Sequence, residues 1–158
     1  MSTQPHFYHQ VVSMNVARVL LPWNDQNDLG FVVDVPGVVF SPEDAVAPDL
    51  IWLSRARFGE ALDPSGHLRI APELVVEILS QGAANERRDR EAKLKLYSER
   101  GVREYWIVDW RILQVEVYRR DGMALVLAGT PYADDALDSP VLPGFRCQVS
   151  QLFTNVPA

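Results

Sequence analysis

The apolar positions change period along the chain, and each change marks an element. From His6 to Leu21, Val11, Val12, Met14, Val16, Val19 and Leu20 recur at helical spacing, which predicts a helix stopped by Pro22 and the polar run NDQND. GFVVDVPGVVFSPE then gives two β-rich pieces around Pro36-Gly37, read as a hairpin or as an edge or bulge at Pro36. APDLIWLS is the next strand, with Asp49 at its mouth. RFGEALDPSGHL reads as a surface excursion turning at Pro64-Ser65-Gly66. In PELVVEILS, Leu74, Val76 and Ile78 fall on one face and Val75 and Leu79 on the other, the pattern of a strand covered on both sides. SQGAANERRDREAKLKLYSERG carries a helix from about Ala84 to Arg100, with Ala92, Leu96 and Tyr97 as its core-facing stripe and Gly101 as its stop. REYWIVD, LQVEVYR and MALVLAG follow as three strands, the last two joined at Asp121-Gly122, and DSPVLPGFRCQVSQLF closes the chain as a Pro-Gly loop with a short apolar end. This order predicts an α/β fold, a mixed sheet flanked by helices.

One residue breaks the pattern. Glu77 stands inside a strand whose neighbours are apolar on both faces, so its carboxylate has no easy route to water. An ionised carboxylate taken out of water costs several kcal/mol or more unless it is paired, protonated or bound to a metal.

With 158 residues and 47% apolar content, the chain suits a single domain spanning residues 1–158. Its longest apolar runs are too short to cross a membrane, and MSTQPHFYHQ lacks the basic and apolar regions of a signal peptide, so a cytoplasmic location is expected. Cys147 is the only cysteine, and His6, His9 and His67 show no zinc-ligand spacing, so any metal would rest on oxygen ligands. The net charge of −6 argues against a protein that coats nucleic acid. That charge is unevenly spread: from Glu86 to Arg103, seven basic residues face four acidic ones, a net +3 on a remainder of −9. Such a stretch is either a solvated helix face or a phosphate track.

Asp49 opens one strand, Glu77 sits within the next, and Lys93 lies on the helix that follows. Two carboxylates brought together from neighbouring strands repel and need a shared cation, and an oxygen-only pair suits Mg²⁺ or Mn²⁺. A backbone carbonyl beside the glutamate can add a ligand, and a nearby lysine can hold a scissile phosphate and stabilise the charge that develops on cleavage. Each residue also has a plainer role. Asp49 after Pro48 can cap a strand, Lys93 can pair with Asp89 at i, i+4, and Glu77 can pair with Arg103 or another base. His9 and His67 read as solvated or satisfied in the core. Tyr97, Trp106 and Trp110 read as packing between helix and sheet, with an exposed Trp110 also able to stack on a base.

Asp, Glu and Lys in this order resemble the PD-(D/E)xK nuclease superfamily. The stretches APDLIWLS, ELVVEILS, DREAKLKLYSERGVREYWIVD and VEVYRRDG are similar to the Uma2 (DUF820) family of restriction endonuclease-like proteins, whose pattern runs PD, ExL-S, D-xxx-K and EYW-x-VD. The resemblance covers Pro5 to Phe153 and implies a restriction endonuclease-like mixed β-sheet flanked by helices. It makes Asp49 and Glu77 metal ligands, the Ile78 carbonyl a third, Lys93 the catalytic lysine and Mg²⁺ or Mn²⁺ the cofactor. The superfamily's usual lysine position, two residues after the glutamate, is Leu79 here, and the Uma2-like arrangement supplies it from the next helix. SQGAAN replaces a Ser-Pro-Ser-Thr-like loop, and set against the family pattern the chain is expected to lack an N-terminal ELIDGE-like segment found in relatives.

The reading that follows is a Mg-dependent endodeoxyribonuclease in which Arg87, Arg88 or Arg90 touches flanking phosphates of DNA, working as a homodimer to cut two strands. Its alternative is a catalytically inactive nucleic-acid-binding or assembly module of the same fold.

Overall fold

The computed structural model describes residues 4–158. Helix α1 (Phe7–Asn27) runs past Pro22, where the sequence pattern ends it. Tertiary anchors hold the last turn across the proline: the Trp23 indole packs edge-on to Trp52 and donates to the Pro143 carbonyl at 2.8 Å, and Asn24 accepts from the Trp52 indole at 2.9 Å. Asp28, in the left-handed region with φ of 49°, ends the helix.

The two β-rich pieces around Pro36-Gly37 do not form a hairpin. Strand β1 (Gly30–Asp34) pairs antiparallel with β4 (Leu50–Ser54), while β2 (Val38–Val39) pairs with β3 (Ala45–Val46). The chain turns aside at Val35, whose φ is 45°, and Gly30 lets β1 close on its partner, since a Cβ there would lie 2.3 Å from the Leu53 carbonyl oxygen. After β4 a short helix α2 (Arg55–Phe58) opens the surface excursion, which leads into β5 (Leu74–Ile78).

From β5 the chain crosses over through α3 (Ala83–Arg87), a π-helical turn (Arg88–Lys93) and α4 (Leu94–Arg100) to β6 (Glu104–Asp109), which lies parallel to β5. Gly101, with φ of 90°, stops the crossover helix as the sequence predicts. β7 (Gln114–Asp121) and β8 (Ala124–Gly129) complete a six-stranded sheet in the order β1-β4-β5-β6-β7-β8, in which only β5 and β6 are parallel. The tail folds as a small hairpin, β9 (Ala136–Asp138) with β10 (Arg146–Gln148), and a 3₁₀ turn (Val149–Phe153).

Both sheet faces are covered. Val12, Val16 and Leu20 of α1 and Leu152 of the 3₁₀ turn pack on Leu74, Val76, Ile78 and Trp106. Tyr97 and Val102 pack on Val75, Tyr105 and Ile107 from the other side. Ala92, predicted to face the core, is exposed. The π turn is the cause, because its wider winding changes the phase of the residues before Leu94 relative to those after it.

Candidate active site

Register brings the two acids together. β4 and β5 are antiparallel with Leu50 opposite Val76, so the next step along sets Asp49 beside Glu77. The ladder changes character there: Asp49 Oδ2 accepts the Ile78 N–H at 2.8 Å, a side chain taking the place of a backbone carbonyl. Nε2 of His9, reaching across from α1, lies 3.3 Å from the same oxygen. Asp49 thus serves as the strand-entry cap its position suggests and also presents a half-buried carboxylate at the carboxyl ends of the parallel pair.

Glu77 is 3% exposed. Both of its partners converge on Oε1: the Tyr97 hydroxyl donates at 2.8 Å, and Lys93 Nζ lies at 2.9 Å. Lys93 also reaches Asp89 Oδ1 at 3.1 Å, and Asp89 is itself buried. Two buried carboxylates therefore share one ammonium. Burial pushes the Glu77 carboxyl up to about 7; Lys93 opposes this and neighbouring Asp49 adds to it. For Lys93, burial works downward, but Glu77 and Asp89 together hold its ammonium above the usual lysine range. His9 is likewise raised: burial works against its charge, and Asp49 outweighs the burial.

The π turn explains how Asp89, Lys93 and Tyr97 meet on one side. Residues at i, i+4 and i+8 of an α-helix drift by about 80° around the axis, because a turn takes 3.6 residues. Wider winding over Arg88–Lys93 removes most of that drift, so three polar groups four residues apart point at one strand.

A cleft of about 430 Å³ opens beside Asp49, walled in part by His9, Ser80, Gln81, Asn85 and Arg88. Glu77 and Lys93 are not part of its wall; Tyr97 and the crossover helix draw them inward. Of the three arginines expected at phosphates, Arg88 lies on the wall and Arg87 is exposed next to it. Arg90 is committed elsewhere, to Glu86 at 3.0 Å, Glu116 at 3.0 Å and Asp109 at 3.6 Å. Arg111 joins that network through Asp109 at 3.0 Å and through Glu86, bracing the crossover helix against β6 and β7.

Among the described residues no three His, Cys, Asp or Glu side chains gather as a metal-holding group. The donors expected from the sequence, Asp49, Glu77 and the Ile78 carbonyl, are all oxygens, the type of donor a hard cation takes.

Three residues matter here beyond those singled out for chemistry in the sequence. His9 falls in phase with Val12, Val16 and Leu20, and a histidine inside a buried stripe is the signal that could have found it. Asp89 was legible as the i, i+4 partner of Lys93. Tyr97 packs helix onto sheet as expected, while its hydroxyl reaches Glu77. Trp110 is buried, its indole donating to the Leu79 carbonyl at 3.1 Å and stacked on His6, so it offers no free face to a base.

A mixed six-stranded sheet with one parallel pair joined by a crossover helix is the restriction endonuclease-like fold. In overall structure the chain is similar to a putative nuclease belonging to DUF820 from Anabaena variabilis ATCC 29413, with a TM-score of 0.75 and 17% identity over 98% of this chain and 84% of that one. The type IIG restriction endonuclease BpuSI is a more distant likeness, with a TM-score of 0.48 and 12% identity over 99% of this chain and 17% of that one. No curated protein matches the chain. The chain belongs to the Uma2 family, described as putative restriction endonuclease, whose model matches residues 1–150. No helix among the described residues is long and apolar enough to cross a membrane.

Proposed function

We propose that this protein is a metal-dependent endonuclease that hydrolyses phosphodiester bonds in DNA. The observation that carries the reading is the meeting of Asp49, Glu77 and Lys93: strand register brings the acids together, and the lysine comes within 2.9 Å of Glu77 from the crossover helix. Asp49, Glu77 and the Ile78 carbonyl would hold Mg²⁺ or Mn²⁺, which supplies Lewis-acid polarisation of a phosphate oxygen and an acidified water. Lys93 stabilises charge developing on the phosphate, in a pocket where low dielectric strengthens its effect. Arg88 on the cleft wall and exposed Arg87 hold flanking phosphates, and Arg90 contributes by bracing the helix that carries them. His9 steadies Asp49 from the opposite side. We place the protein in the cytoplasm and read it as a homodimer, since two sites related by a two-fold axis are the simplest way to cut both strands of a duplex.

The test is cleavage of a panel of duplex, single-stranded and branched DNA and RNA, with Mg²⁺, Mn²⁺ or chelator. Lys93→Met, which keeps the apolar stem, should slow metal-dependent cleavage by about 10²- to 10³-fold while leaving DNA binding within a few-fold of wild type. Cleavage at the wild-type rate by Lys93→Met would remove the lysine from the mechanism.

A second reading is a catalytically inactive binding or assembly module. It is favoured by the mutual pairing of Glu77 and Lys93 away from the cleft wall and by the net charge of −6. DNA binding with no cleavage of any substrate in either metal would make it the better account.

A further inference from the structure

Asp89 has no role in the mechanism above, yet it is 2% exposed and sits on the π turn. Its Oδ1 lies 3.1 Å from Lys93 Nζ and 3.9 Å from Arg88 Nε, ion pairs in which this buried acceptor takes no well-angled hydrogen bond. A buried carboxylate in that state is costly and is normally replaced or better paired. Lys93 is meanwhile drawn to Glu77 at 2.9 Å, the residue that would also have to serve a cation. One carboxylate cannot fully neutralise an ammonium and a divalent ion together, and the two cations repel at close range.

We propose that Asp89 is the positioning residue for Lys93, retaining the ammonium beside the site when Glu77 turns its charge to a divalent cation. The inference rests on the nuclease reading of Asp49 and Glu77. Among the described residues Asp89 is the other carboxylate that Lys93 touches, and its Oδ1 already lies 3.1 Å from the ammonium, against 2.9 Å for Glu77. The π turn is what makes the exchange short, because it holds Asp89 and Lys93 on one side of the helix facing the same strand. Asp89's unfilled acceptor is then the place into which Lys93 settles once it gives up Glu77. Without Asp89, the ammonium would stay on Glu77 and compete with the cation for it.

The competition is measurable without nucleic acid. Thermal melts of the full chain titrated with MnCl₂ give the midpoint metal concentration for wild type, Asp89→Asn, Asp89→Glu, Lys93→Met and the double variant Asp89→Asn/Lys93→Met. Asp89→Asn should raise the midpoint about tenfold when Lys93 is present and no more than about twofold when it is absent, since the effect runs through the ammonium. Lys93→Met alone should lower the midpoint, and Asp89→Glu should restore most of the wild-type value. The same increase with and without Lys93 would overturn the proposal, leaving Asp89 as a remote negative charge. If Mn²⁺ shifts wild type but Asp89→Asn changes nothing, the positioning role fails while the metal site stands. If Mn²⁺ shifts no variant, the metal reading fails and this role falls with it. Asp89→Asn is isosteric and removes a buried charge; if it nevertheless fails to fold, Asp89→Glu still decides, because a longer carboxylate that positions the ammonium must keep the wild-type midpoint and one that does not overturns the role.

Discussion

Replacing Glu77 with glutamine separates the charge of this residue from its shape. The amide carbonyl can still accept from Tyr97, and Lys93 keeps Asp89, so the main loss is the titrating proton. Burial raises the carboxyl from 4.5 to about 7. At about 1.4 kcal/mol for each pH step, that gap is worth roughly 3 kcal/mol of linkage between protonation and folding. The sign follows from the direction. A folded-state pKa above the unfolded one contributes stability that is complete below pH 4.5 and is lost as the pH climbs through about 7. Wild-type protein in chelator should therefore lose about 3 kcal/mol between pH 4.5 and 8 from this group. His9 and Glu104, also raised, drift the same way, but they remain in the variant and cancel in the difference. Urea denaturation of wild type and Glu77→Gln across that range, with chelator, gives the measurement directly. Above pH 7.5 the variant should be the more stable protein, and millimolar Mn²⁺ should reverse the order by stabilising only wild type. Parallel pH profiles for the two proteins would refute the assignment of a carboxyl raised by burial.

Tyr97→Phe should cost about 1–3 kcal/mol above pH 7, where Glu77 is charged and needs its donor, and markedly less at pH 5; equal losses at both pH values in urea melts would deny the hydroxyl its part. Arg111→Met should cost about 1 kcal/mol at neutral pH and low salt, a sum discounted for the partial exposure of the arginine and shrinking in high salt. Asp109 is buried, which works upward, yet Arg111 holds its carboxyl below the usual value, so the stability it adds is present above pH 3.8 and is lost as the pH falls through its folded value. Arg111→Met should flatten that acid limb, as acid titration followed by far-UV circular dichroism would show.

The strands were the most legible part of this chain. Short polar turns, the last at Asp121-Gly122, marked β7 and β8, and the apolar faces of LVVEI marked a strand buried on both sides. The proton-bearing heart of the site was visible as a contradiction, one glutamate where no glutamate should be comfortable. Two errors share a cause in tertiary contact. Pro22 ends a helix considered alone, but Trp23 and Asn24 are fastened to Trp52 and Pro143 and hold the next turn in place. Pro36-Gly37 looks like a hairpin locally, but β1 gains more by lying along β4. The π turn left no periodic trace, because a change of winding over six residues is too short to alter a hydrophobic pattern. Ala92 was misassigned for that reason, and the line of Asp89, Lys93 and Tyr97 was hidden for the same one.

The bond from the Ile78 amide to Asp49 gives the site its own built-in reporter. A backbone proton at the end of a central strand is ordinarily guarded by another backbone, and its exchange with solvent tells of the whole sheet opening. Here the guard is a side chain at the edge of a cleft. Whatever pulls the Asp49 carboxylate toward an occupant loosens one amide while leaving Val76 and Val75, deeper in the same strand, under the protection of global unfolding. The exchange rate of that single hydrogen, compared with those of its neighbours, reads the state of the carboxylate in a protein otherwise at rest.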